Sequence, residues 1–199
     1  MRTHAAVRLV CAALLALSGV AANAGIIVYS AQLTGAAEAP PNASLGTGFA
    51  NVTIDDVLNT MRVQVVFANL TAGVTASHIH VINGPGDANV ADTVGPVATT
   101  TPTFTGFPSG VTSGSYDVTF DMTLASSYRA GFITDAGSIA AAQLALFSAL
   151  ASGRAYFNIH TSQFPAGEIR GFLVPEPATL SLLALGLLGA GFARRRRVG

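Results

Sequence analysis

From residue 115 to residue 124 the chain alternates without a break. Tyr116, Val118, Phe120, Met122 and Leu124 fall on one side, and Ser115, Asp117, Thr119, Asp121 and Thr123 on the other. A period of two marks a half-buried strand. Ile26 to Leu33 alternates more loosely, with Ile27, Tyr29, Ala31 and Leu33 on one face. Residues 49–54 and 61–70 read as a strand pair joined by a turn through Asp55, Asp56 and Asn59. Turn chemistry fills the gaps, at Pro40-Pro41-Asn42, at Gly84-Pro85-Gly86-Asp87 and along the Thr/Pro/Gly stretch 99–114. Short strands separated in this way predict an all-β sandwich or barrel.

One segment departs from the pattern. Ser138 is placed to cap an Ala/Leu-rich helix running to Ser152, with Ile139, Gln143, Leu146 and Leu150 along one side and Gly153 to end it. This inserted helix is expected to pack on the β core. A second membrane span is the rival reading, but the run is short and flanked by turn signals.

The two ends have a different character. Residues 1–24 have a basic start (Arg2, Arg8), an apolar run from Leu9 to Val20 and a small-x-small site at Ala22-Asn23-Ala24, the layout of a secretory signal peptide handled by the Sec export machinery. The apolar run is too short to cross roughly 30 Å of hydrocarbon as a helix. At the other end Pro175-Glu176-Pro177 precedes an uncharged stretch, Ala178 to Ala193, and then Arg194, Arg195, Arg196 and Arg197. That stretch makes a helix of about 24 Å, long enough for a membrane segment once the arginines snorkel to the interface. A permanent tail anchor and a processed sorting tail share this layout.

Removing both ends changes the charge. The whole chain is formally neutral, but residues 25–174 keep only Arg62, Arg129, Arg154 and Arg170 against nine acidic residues, about −5. A lysine-free acidic domain lacks the basic footprint that a phosphate backbone requires, which argues against a nucleic-acid partner. The domain has no cysteine, so no disulfide holds it outside the cytoplasm.

Three histidines remain, His78, His80 and His160. On a strand through 77–81, His78 and His80 share a face opposite Ile79 and Val81. On a strand through 154–160, Tyr156, Asn158 and His160 share a face opposite Phe157 and Ile159. Both segments end in histidine and continue through a four-residue loop to proline, glycine and an acid. A His-x-His pair plus a third imidazole from a neighbouring strand suits copper or zinc and leaves a position for water. The alternative is a polar strand face of exposed or hydrogen-bonded histidines with no metal. Glu168 and Arg170, two residues apart, are expected to form a structural pair or to bond a neighbouring loop; an acid/base role for Glu168 is the rival. No serine elbow, phosphate-binding glycine loop or Cys/His dyad occurs, so a non-enzymatic role is expected.

The tail's Pro-Glu-Pro, apolar stretch and terminal arginine cluster resemble the PEP-CTERM sorting signal. That resemblance implies recognition by an exosortase, membrane anchoring during sorting, and delivery to the envelope, cell surface or extracellular matrix, where exopolysaccharide is a partner to expect. Leu33 to Asn42, Gly46-Thr-Gly48, Ala76-Ser-His78-Ile-His80, Ala155 to Thr161 and Phe164 to Gly171, in that order, resemble the CHRD (chordin-type) domain. Phe172 stands where that family often has glutamine. The likeness implies an Ig-like or superoxide-dismutase-like β-sandwich spanning 25–174, between a signal helix at 1–24 and a sorting tail with its transmembrane helix at 175–199. A two-metal dismutase is excluded by inventory, because three histidines cannot fill its ligand list. A single copper or zinc on His78, His80 and His160 survives that count.

Overall fold

A computed structural model describes residues 25–87 and 93–176. The signal segment, residues 88–92 and the tail from Pro177, including Arg194 to Arg197, lie outside the described residues. Eight strands are described: β1 (Ile26–Thr34), β2 (Thr47–Asp55), β3 (Thr60–Ala68), β4 (Val74–Val81), β5 (Gly114–Asp121), β6 (Ala155–Thr161), β7 (Ile169–Phe172) and β8 (Val174–Pro175). Two helices, α1 (Ala130–Ala136) and α2 (Ile139–Ala151), lie between β5 and β6.

The strands form one antiparallel sheet in the order β4-β6-β7-β1-β2-β3-β5, with β8 paired to β1. It is a single curled sheet, to which the expected sandwich applies only loosely. Alternation sets the core face of its centre: Ala50, Val52 and Ile54 of β2 and Met61, Val63, Val65 and Phe67 of β3 are all buried. Asp55 fixes the turn between these strands by accepting the N–H groups of Val57 and Leu58 at 3.0 and 2.8 Å, and Asn59 supplies the left-handed residue at φ 55°.

Curling brings the distant edge strands near one plug of aromatic rings. Phe104 lies 5.3 Å from Phe120 of β5 and 5.8 Å from Phe157 of β6, ring centre to ring centre. Phe107 touches Tyr116 and Phe157 in the same way. Both phenylalanines belong to a segment, 95–112, that runs along the free edge of β4. Val81, Ala98, Phe104, Gly110 and Val74 carry the backbone bonds between them. The segment covers an edge that would otherwise offer unpaired groups.

Ser138 caps α2 as expected, its Oγ accepting the Ala141 N–H at 3.1 Å. The buried side is Ala142, Leu146, Ala149 and Leu150; Gln143 is half-buried and bonds Asn59 instead. Among the described residues no single helix is long and apolar enough to cross a membrane. Two expectations need correction. The alternation of 115–124 overshoots: β5 ends at Asp121, whose carboxylate takes the Thr123 N–H and turns the chain, leaving Leu124 exposed. One inserted helix becomes two, because α1 spans seven residues, too few for a periodic signal, and buries Phe132 before Gly137 ends it at φ 92°.

Candidate metal centre

β4 and β6 are neighbours, and their register places Ala76 opposite His160, His78 opposite Asn158 and His80 opposite Tyr156. Directly paired residues point to the same side of a sheet, so all three histidines share one face with Tyr156 and Asn158. Next door, β7 adds Arg170 opposite Asn158 and Phe172 opposite Tyr156. The histidine face is not open to solvent: His78 and His80 are only 7% and 8% exposed, beneath the segment that covers the β4 edge.

That segment also orients the rings. His78 Nε2 lies 2.6 Å from the Pro102 carbonyl and His80 Nδ1 lies 2.8 Å from the Gly95 carbonyl. His160 Nδ1 lies 3.0 Å from the carbonyl of Pro165, in the loop after β6. A carbonyl only accepts, so the nitrogen facing it carries the proton and the other nitrogen holds a lone pair. Those other nitrogens are His78 Nδ1, His80 Nε2 and His160 Nε2. They make up three of the five buried side-chain polar atoms without a hydrogen-bond partner among the described residues.

One nitrogen from each ring lies within 4.8 Å of the others, and the ring centres are 5.2–6.0 Å apart. A shared ion at about 2.0–2.1 Å from each nitrogen needs nitrogen separations of roughly 3.3–3.6 Å. The rings therefore need to close by at most about 1.5 Å, within reach of small side-chain rotations. Burial pushes His78 down to about 4 and His80 down to about 3, against the opposing effect of their carbonyl bonds, and burial lowers His160 too. At neutral pH all three imidazoles are neutral, the form a metal would require. Backbone carbonyls that fix the tautomer of each ring are the usual outer support of a metal-binding histidine.

A second row of side chains flanks the histidines. Tyr156 stacks on His80 at 4.8 Å with planes 8° apart, and the Arg170 guanidinium lies 4.8 Å from the Tyr156 ring centre. Arg170 also donates to the carbonyls of Ala37 and Thr93 and faces Glu38 at 3.9 Å. Glu38 accepts a 2.7 Å bond from Asn158 Nδ2. Burial raises its carboxyl to about 7, although Arg170 and Asn158 oppose the rise. Gly167, at φ 133°, closes this corner: a Cβ there would come within 2.8 Å of Glu38 Oε1 and Asn158 Nδ2.

The sequence gives Glu38 no role: it appears only as a lone acid within the Leu33–Asn42 stretch that resembles the CHRD domain. Glu168 and Arg170 are not bonded to each other. Glu168 precedes β7, and its fully buried carboxylate accepts 2.6 Å bonds from Ser44 Oγ, the Thr71 N–H and Thr161 Oγ1. Burial acts to raise its pKa, but these bonds outweigh it and leave the group lowered. It ties three loops together, and the ionic partner of Arg170 is Glu38. The loop likeness after the two histidine strands holds in part: Pro165 holds His160, whereas His80 bonds Gly95 rather than the Pro85 loop. Of the sorting residues, Pro175 and Glu176 lie against β1.

The fold and site define a curled antiparallel β domain that gathers three imidazoles, two of them buried and the third half-buried, and continues directly into its C-terminal tail. Residues 29–173 match the CHRD domain, and the chain belongs to that family. Residues 173–197 match the PEP-CTERM protein-sorting motif, which marks an exported protein that is processed by an exosortase and anchored in the membrane during sorting. No curated protein and no solved structure matches the chain.

Proposed function

We propose that this protein is a non-enzymatic, surface-displayed module that binds one copper or zinc ion through His78, His80 and His160. The observation that supports this reading is the set of three buried ring nitrogens, each without a partner, while the opposite nitrogen of every ring is held on a backbone carbonyl. Each such orphan costs about 1–3 kcal/mol, and one ion would satisfy all three. Imidazole suits both metals, and three ligands leave a fourth position for water or a donor from a partner.

The test is metal analysis of the full chain after equilibration with copper or zinc and removal of loose ions. One equivalent per chain is expected, lost in His78→Ala and His160→Ala while circular dichroism is unchanged. A wild-type chain that retains neither metal would end the proposal.

A further inference from the structure

One end of the sheet carries an apolar rim. Ile26 and Leu58 are each 69% exposed, Val57 63% and Leu124 51%. These residues are close in space although distant in sequence. Ile26 pairs with Asp55, the last residue before the turn that holds Val57 and Leu58. The Met122 N–H donates to the Asn59 carbonyl of the same turn at 2.8 Å, bringing the 122–124 stretch alongside. Asp55 holds the turn closed from inside, so Val57 and Leu58 project as its tip.

The tail leaves the domain toward this same end. Ser30 pairs with Val174 and Tyr29 with Pro175, and the Glu176 N–H donates to the Val28 carbonyl at 2.9 Å. Each residue from Val174 to Glu176 is thus one step nearer to Ile26. Only Pro177 separates Glu176 from Ala178, where sixteen uncharged residues begin. No spacer lifts the domain away from the bilayer that receives the tail.

We propose that the rim of Ile26, Val57, Leu58 and Leu124 rests on the outer surface of the bilayer that anchors the tail, seating the domain upright on the membrane before processing. The contact is apolar and not electrostatic, since the charges beside the rim are acidic: Asp55 and Asp56 precede Val57 in the turn, and Asp121 pairs with Thr60 just after it. Tethering by the tail keeps the rim at high local concentration, so a shallow contact is enough. The opposite end then faces away from the membrane. It holds the loops tied by Glu168 and the Pro165 carbonyl that orients His160, so the half-buried His160 edge of the histidine cluster lies on the side away from the membrane.

The chain contains no tryptophan, so a single one reports one place. Leu58→Trp marks the rim, and Leu45→Trp, at an 84% exposed position before the far end of β2, is the control. Each full-length variant is reconstituted in phosphatidylcholine vesicles with and without brominated acyl chains. Blue-shifted emission and loss of most of the signal to bromine are expected for Trp at 58, with neither at 45. Adding Val57→Asp and Ile26→Asp to Leu58→Trp should abolish the quenching with circular dichroism unchanged. Equal quenching at both positions, or none at 58, overturns the proposal. A blue shift at 58 that grows with protein concentration but never responds to bromine would instead assign the rim to a second copy of the chain.

Discussion

Replacing His80 by Phe should leave the metal-free protein about as stable as the wild type, yet remove its entire response to metal. Without an ion, the buried Nε2 of His80 has no partner, a cost of about 1–3 kcal/mol. Phenylalanine removes that orphan and retains the stack on Tyr156, but it strips the Gly95 carbonyl of its donor, a cost of similar size. The two terms nearly cancel, so the metal-free variant should lie within about 1 kcal/mol of the wild type. With metal at a hundredfold excess over Kd, binding to the native state alone adds roughly 2.7 kcal/mol. A domain of this size gains about 2–4 °C per kcal/mol, so the wild-type Tm should rise by about 5–10 °C. Differential scanning calorimetry of both proteins, with and without copper or zinc, reads all four states. The reasoning fails if His80→Phe destabilises the metal-free protein by several kcal/mol. It fails equally if both proteins respond to metal alike, because His80 would then be a structural residue and not a ligand.

Glu38 should make the fold weaker as pH rises. Its folded-state carboxyl titrates near 7, above the ordinary value of 4.5, so its stabilising contribution is complete below about 4.5 and is lost as pH climbs through 7. The histidines, lowered by burial, act in the opposite direction, so the difference between wild type and Glu38→Gln in urea melts at pH 5 and pH 8 isolates the carboxyl; a difference that does not change with pH refutes the assignment. Glu168 has the reverse sign: its lowered pKa gives stability that is present above about 4.5 and lost as pH falls through its folded value. Glu168→Ala, which leaves Ser44, Thr71 and Thr161 without their shared acceptor, should cost about 3 kcal/mol or more in denaturant unfolding, and a loss under 1 kcal/mol would contradict its role as the tie between loops. Phe104→Ala should cost about 3–5 kcal/mol by the same assay, since Phe104 is fully buried between Phe120 of β5 and Phe157 of β6; a near-neutral result would mean the covering segment is not packed there.

The faces of the three histidines were legible because alternation along a strand assigns each side chain to a side without reference to any other strand. His78 and His80 had to share a face, and His160 had to lie with Tyr156 and Asn158. Which strands adjoin was not legible: the register that sets His78 opposite Asn158 depends on long-range pairing of β4 with β6, and period-two patterns look the same whichever partner a strand takes. The same limit explains Glu168 and Arg170, which alternation placed together and tertiary contacts separated, one to the loops at Ser44 and Thr71 and the other to Glu38. Burial of the histidine face was hidden more deeply. Its cover is the Gly/Pro/Thr-rich segment 95–112, which carries no hydrophobic period and reads as a loop, although its carbonyls at Gly95 and Pro102 orient two of the rings. Alternation says which way a side chain points; whether it meets water or a lid is decided by a segment whose sequence says only that it turns. In this domain that segment changes a polar strand face, where histidines would be unremarkable, into a covered one where three ring nitrogens have no hydrogen-bond partner, the feature on which the proposed metal site rests.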